Sequence, residues 1–265
     1  MHQHTGNWPG KTVANATGNC IYHDTDFLFV DIPGTYSIMS NSEEEEIARD
    51  YICFGKPDAT VVVVDATCLE RNLNLVFQIM EITNNVIVCV NLLDEAKKKK
   101  IKIDLKELSK NLGVPVVGTV ARKKKTLVNL MDTVHKVCKQ KLSIAPKKIK
   151  YSTCIEKGIS RLSEELEKEL SLPNNLYRWI SLKIIDGENK ILSSIESNFS
   201  INLRENEKIQ DLKNEILLEL EEEHISKETF KDTIVSSIMK QAETICQKVC
   251  HFENENYSRK RPKNR

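Results

Sequence analysis

Two short motifs, each closing an apolar run, constrain this chain more than anything else in it. Asp31-Ile32-Pro33-Gly34 follows Phe27-Leu28-Phe29-Val30, and Asn91-Leu92-Leu93-Asp94 follows Val86-Ile87-Val88-Cys89-Val90. A β-branched run that stops at a polar loop predicts a buried strand whose carboxyl end opens onto a ligand crevice. Taken alone, D-x-x-G is a common strand-to-turn sequence without chemistry. A D-x-x-G loop and an N-x-x-D loop in this order, separated by a strand–helix unit, are the parts with which a GTP-binding switch domain senses a γ-phosphate and reads guanine. The G-x-x-x-x-G-K-S/T loop that should precede them and wrap the phosphates does not occur in the sequence.

The first half alternates strand and helix signals. Extended segments are predicted over 12–22 and, after a tight turn at His23-Asp24-Thr25, as a buried strand over 26–31. Fully buried strands are predicted over 59–65 and 86–91, and a last strand over 114–119. Helices are predicted over 43–53, 69–83, 105–112 and 127–138, with acidic residues in the first turn of the earliest. Short connections in this alternation imply a mostly parallel sheet with helices on both faces. Pro146 and neighbouring lysines mark a linker, after which helices are expected over 153–170, 174–185, 188–197, 205–222 and 226–250. The domain expectation is therefore 1–140, a linker over 141–152, a helical unit over 153–258 and a basic tail over 259–265.

With 39 Lys plus Arg against 38 Asp plus Glu, the net charge of +1 gives no ground for nucleic-acid binding. The basic tail is open to a second reading, as a segment beside a membrane surface. The eight cysteines lie within or beside apolar segments, which suits reduced thiols of a cytosolic protein. Cys246, Cys250 and His251 make a weak metal motif, with helix packing the plainer account. His2 and His4 are an equally weak pair at a terminus. No apolar run of about 18 residues is present, so no membrane-crossing helix is predicted.

The chemistry of the loops follows from residue type. Asp31, at the end of a strand, would orient a magnesium ion through water, and the Gly34 amide would meet a γ-phosphate. The Asp94 carboxylate can accept two parallel hydrogen bonds from guanine N1 and N2, which adenine cannot supply. Asn91 would brace neighbouring loops. In Thr119-Val120-Ala121-Arg122, the Ala121 amide would meet guanine O6. Upstream, Gly6-Asn7-Trp8-Pro9-Gly10-Lys11-Thr12 stands where a first switch loop belongs, with the Thr12 hydroxyl as a magnesium ligand.

These residues resemble the ferrous iron transport protein B family (FeoB). The resemblance runs through Gly-Asn-Trp-Pro-Gly-Lys-Thr-Val, Asp-Ile-Pro-Gly-Thr-Tyr-Ser, Ser42-Glu43-Glu44-Glu45 and Ala48-Arg49-Asp50-Tyr51. It continues through Val64-Asp65-Ala66-Thr67, Leu69-Glu70-Arg71-Asn72-Leu73 and Asn91-Leu92-Leu93-Asp94-Glu95-Ala96, and covers about residues 3–135. It implies an α/β, P-loop-GTPase-like sheet (Ras-like, TRAFAC class) with flanking helices, N-terminally truncated. The later half, with Arg178-Trp179 and Lys183-Ile184-Ile185-Asp186-Gly187, looks like the family's small all-α spacer domain, which joins the G domain to a polytopic membrane region.

What the resemblance implies is GTP or GDP with Mg2+ held through Thr12, Asp31, Gly34, Asn91, Asp94 and Ala121. The switch residues are Gly6, Asn7, Trp8, Pro9, Gly10, Pro33 and Thr35. No catalytic residue is assigned. Three departures stand out. The family's phosphate loop, its preceding strand and its first helix would lie upstream of Gly6-Asn7-Trp8-Pro9, so Met1 is expected to be an internal methionine of a longer protein, the alternative being a split or decayed gene. A membrane domain of the same transporter would follow Arg265 as a partner, placing the parent at the cytoplasmic face of the cell membrane. Val120 stands where the family usually has serine.

Without a phosphate loop, nucleotide binding is expected to be weak or nil, hydrolysis negligible, and the exposed sheet edges prone to self-association. The alternative is a non-enzymatic module that pairs with separate transporter pieces through that edge. A stand-alone GTPase of the translation-factor superclass fits the Gly-Asn-Trp-Pro-Gly loop poorly.

Overall fold

A computed structural model describes residues 3–7, 14–35, 37–38 and 42–252 of the chain. The basic tail over 259–265 lies outside them. Three antiparallel strands open the fold: β1 (Gln3–Asn7), β2 (Ala14–Tyr22) and β3 (Thr25–Asp31), in the order β1-β2-β3. His23 and Asp24 both take positive φ, the geometry that closes a two-residue hairpin with the twist of its strands. After α1 (Glu43–Phe54) comes a second sheet of parallel strands, β4 (Thr60–Asp65), β5 (Val86–Asn91) and β7 (Val116–Gly118). The helices α2 (Leu69–Ile82), α3 (Leu93–Lys98), α4 (Leu105–Leu112) and α5 (Lys124–Cys138) connect and flank it.

Two of the strands expected to be buried are not. In β3 only Phe27 is buried, and Leu28 is 66% exposed; in β4, Val62 and Val64 are buried while Val63 is 60% exposed. The reason is topological. Among the described residues β3 and β4 are outer strands of two separate sheets, so each has one edge without a described partner and incomplete cover. What joins the first sheet to the second is α5. Phe27 packs in one apolar cluster with Ile87, Val134 and Val137, and the Tyr22 hydroxyl donates to Asp132 at 2.6 Å.

The second half is helical: α6 (Thr153–Glu169), α7 (Tyr177–Asp186), α8 (Asn189–Phe199), α9 (Glu207–Glu222) and α10 (Lys227–Val249). Asn206 and Ser226 cap α9 and α10 through side-chain oxygens that accept from the amides of Ile209 and Thr229. The helix expected from Pro173 starts later, at Tyr177, because Asn175 is used otherwise: its side-chain amide donates to Ile82 O at 2.7 Å, satisfying a carbonyl at the end of α2. The sequence reading also missed a strand pair. β6 (Ile101–Ile103) runs antiparallel to β8 (Cys250–Phe252), which carries Cys250 and His251 away from the helix that holds Cys246.

The two halves share a core. Val62, Val64 and Phe77 belong to the same buried cluster as Trp179, Ile180 and Ile234. Across this seam lies one charged network. Arg178 Nε donates to Glu81 Oε2 at 3.1 Å, Nη1 to Glu156 Oε2 at 2.7 Å, and Nη2 to Ile149 O at 2.9 Å. Lys148 Nζ adds a hydrogen bond to Met80 O. Among the described residues no helix is long and apolar enough to cross a membrane.

Removing Arg178 strands two carboxylates, one of them almost wholly buried. Arg178→Met is expected to cost about 3 kcal/mol in urea unfolding. Burial pushes the Glu156 carboxyl up, but its bonds from Arg178 and from the Tyr151 amide outweigh this and hold it below its ordinary 4.5. Its contribution is therefore complete above that value and lost as pH falls through the depressed native one, so the wild type, and much less the variant, should lose stability across that acidic window.

Candidate functional site

Asn91 ends β5 with its side chain aimed across the carboxyl edge of the parallel sheet. Its Oδ1 accepts from Thr119 Oγ1 at 3.2 Å and from the Ala121 amide at 3.1 Å, tying the loop after β5 to the loop after β7. Thr119 is buried, and with its hydrogen given to Asn91 its oxygen can accept from the Cys89 thiol 3.3 Å away. Burial pushes that thiol up, which keeps it in the protonated form this chain needs. Backbone bonds complete the arrangement: Leu93 N to Thr119 O, Thr119 N to Val90 O, and Ala66 N to Asn91 O.

Asp94 lies in the first turn of α3. Leu92, the residue just before the helix, takes a left-handed conformation (φ 61°), which turns the chain sharply enough to bring Asp94 back toward the loop after β7. There its Oδ2 pairs with Arg122 Nη2. Withdrawal from water pushes the Asp94 carboxyl up, but the hydrogen bond and charge of Arg122 prevail and hold it below the usual carboxylate value. Gly118 makes this approach feasible, because a Cβ there would stand 2.5 Å from Leu93 Cδ1 and 2.6 Å from Leu105 Cδ1.

Asn91, Asp94, Thr119 and Ala121 thus converge at one corner of the parallel sheet. Asp31, Pro33, Gly34 and Thr35 stand elsewhere, at the end of the antiparallel sheet. Asp31 and Gly34 are exposed, and a Cβ at Gly34 would have no atom within 4 Å. Thr35 Oγ1 lies 3.1 Å from Glu45 Oε1, in a helical turn that Ser42 caps by accepting from the Glu45 amide. Gly6 and Asn7 fall at the end of β1. Trp8, Pro9, Gly10 and Thr12 lie outside the described residues.

Chemically, the Asp94 carboxylate is an acceptor suited to two adjacent N–H donors, a capacity that Arg122 takes up in part. Two details differ from the sequence reading. The Ala121 amide is committed to Asn91, and Asp94 is committed to Arg122, so an incoming base must exchange with both. Arg122 closes the quoted Thr119-Val120-Ala121-Arg122 loop, but the sequence reading gave it no role of its own. Of the two magnesium candidates, Asp31 is the one that lies among the described residues, exposed at the end of β3. Among the described residues no group of His, Cys, Asp and Glu side chains is placed to hold a metal, Cys246, Cys250 and His251 included.

Comparison with known proteins is consistent along the chain. The family model described as ferrous iron transport protein B matches residues 1–134, and the FeoB cytosolic helical domain matches 151–251. An Fe(2+) transport protein A/Fe(2+) transporter FeoB fusion protein of Porphyromonas gingivalis is 36% identical over 193 residues, 72% of this chain and 23% of that protein. The Fe(2+) transporter FeoB of Salmonella typhimurium is 33% identical over 190 residues, 70% of this chain and 24% of its own length. The chain thus spans about a quarter of these relatives. Among solved structures, the cytosolic domain of the T. maritima FeoB iron transporter in a GDP form superposes with a TM-score of 0.75 at 27% identity, covering 94% of this chain and 90% of that one. A mutant of S. thermophilus NFeoB bound to GDP gives 0.78 at 27% identity, with the same coverage.

Asn91→Ala removes the acceptor for a buried hydroxyl and a loop amide. A loss of about 1–2 kcal/mol is expected by thermal unfolding, with faster hydrogen exchange at Ala121. Gly34→Ala, by contrast, meets no neighbour and should leave stability within about 0.5 kcal/mol of the parent.

Proposed function

The chain belongs to the ferrous iron transport protein B family, and from that premise we propose that it is the guanine-nucleotide-sensing, cytoplasmic part of a ferrous iron transporter. In the intact transporter it couples nucleotide state to iron uptake through a membrane domain. The observation that carries this reading is the convergence of Asn91, Asp94, Thr119 and Ala121 at the carboxyl ends of parallel strands. Asp94 accepts from guanine N1 and N2, which sets guanine apart from adenine, and Asn91 holds the two base-facing loops in register. Asp31 and Thr12 are the residues that would hold a magnesium ion, and Gly34 and Thr35 belong to the loop that would respond to the γ-phosphate. Magnesium would supply charge neutralisation between phosphate oxygens.

On this reading the 265 residues by themselves bind GTP or GDP weakly or not at all and hydrolyse it negligibly, since most phosphate affinity in such domains comes from a glycine-rich loop and its lysine. A second reading has its own observation. Among the described residues β3 and β4 each present an edge without a described partner, with Leu28 and Val63 exposed beside it, which suits a module that takes up a strand from another transporter piece or associates with itself.

The test is a titration of the 265-residue chain with a fluorescent GDP analogue, with unlabelled GDP and ATP as competitors. Expected is feeble binding that GDP displaces and ATP does not, lost in Asp94→Ala. Displacement by ATP overturns the guanine assignment, and ordinary micromolar affinity overturns the weak-binding part. A rise in affinity on adding a peptide with a G-x-x-x-x-G-K-S/T loop and its preceding strand favours the second reading. In proteoliposomes, iron uptake by the full-length transporter should depend on GTP and fail in the Asp94→Ala form.

A further inference from the structure

The D-x-x-G loop does not end at Gly34; its continuation is gripped by a helix whose other contacts lie in the helical half. Gln78, buried on α2, accepts two hydrogen bonds through Oε1: from Ser37 Oγ at 3.0 Å and from the Ile38 amide at 2.7 Å. Ile38 is 3% exposed although it sits only four residues beyond Gly34. It borders a small cavity lined by Trp179 and Leu182 of α7 and by Ile234 and Ile238 of α10. One turn further along α2, Glu81 takes the Arg178 guanidinium and accepts from the Ile149 amide at 3.3 Å. Two buried polar side chains, three positions apart on one face, therefore hold the loop and the helical half against the same helix.

We propose that Gln78 is a positioning residue that couples the segment after the D-x-x-G motif to the helical half, by seating Ile38 among α2, α7 and α10. Burying an amide side chain in an apolar seam is costly unless it is bonded, so the bonded state of Gln78 and the seated state of Ile38 support each other. Displacing Ile38 leaves Gln78 without its donors, and shifting α7 or α10 removes the walls of the seat. Coupling of this kind is reciprocal: whatever moves the loop moves the packing around Trp179, and the reverse. The significance for transport rests on the nucleotide reading above; the coupling itself does not.

The test is a double-mutant cycle carried out without nucleotide, so that its failure is distinct from a failure to bind guanine. Gln78→Met keeps the volume and removes the acceptor, Gln78→Glu keeps an oxygen there, and Ile238→Ala opens the seat from the helical side. The chain has two tryptophans, so Trp8→Phe leaves Trp179 as the reporter. Expected is exchange at the Ile38 amide faster by about tenfold in Gln78→Met, with a shifted Trp179 emission, and most of both restored in Gln78→Glu. Ile238→Ala should speed Ile38 exchange in the parent and add little in Gln78→Met. Multiplicative effects in the double variant, or an Ile38 amide indifferent to Ile238→Ala, overturn the proposal. If Gln78→Met does not fold, Ile38→Val, one methyl smaller, reads the same coupling through Trp179, and an unchanged emission counts against it.

Discussion

Everything in this fold leans on α2, because it is enclosed from both halves. From Val76 to Ile82 every side chain is buried, including Gln78 and Glu81. An amphipathic surface helix needs one partner and leaves its polar face to water. The second half of α2 has no such face, so its polar groups must find partners within the protein, and those partners come from distant places in sequence: Ser37 and Ile38, Ile149, Asn175 and Arg178. The seam between the strand-rich and helical halves is consequently one core with a charged weld across it. The helical half acts on the α/β half as a packed neighbour, and a linker alone does not define their relation.

Much of this was legible from local chemistry. The acids in the first turn of α1, the buried run of β5 and the loops at the ends of β3 and β5 are short-range signals, and they stand where the pattern placed them. What escaped depends on partners far along the chain. β8 is three residues long and gains its strand character only by pairing with Ile101–Ile103, about 150 residues earlier. Pro173-Asn174 reads as a helix start, yet the helix begins at Tyr177, and the side-chain amide of Asn175 is spent on a carbonyl of α2. The pairing of Arg122 with Asp94 and the role of Gln78 leave no pattern in sequence, since a cation on a loop and a lone amide on a helix acquire meaning only from what they face.

The exposed strands teach a related lesson. Four consecutive valines and a Phe-Leu-Phe-Val run announce interior strands, and composition cannot say whether a neighbour pairs with them. In β4 the pattern is correct on the side that meets β5 and α2 and fails at Val63; in β3 it is correct at Phe27 and fails at Leu28. Hydrophobicity records the environment a strand suits, while its actual cover depends on which chains lie beside it.

The pairing of Asp94 with Arg122 has a consequence for ionic strength. Arg122 is 68% exposed, so salt screens its hold on the carboxylate, whereas under the proposed function a base stacked into the corner would meet Asp94 by short, directional bonds. The arginine behaves as a tethered competitor whose strength the solvent sets. Most charged recognition sites weaken as salt is added; one that must first shed an internal counter-ion is relieved by it. Under the proposed function, selectivity at this corner is therefore tied to the electrolyte around the protein as well as to the shape of the ligand.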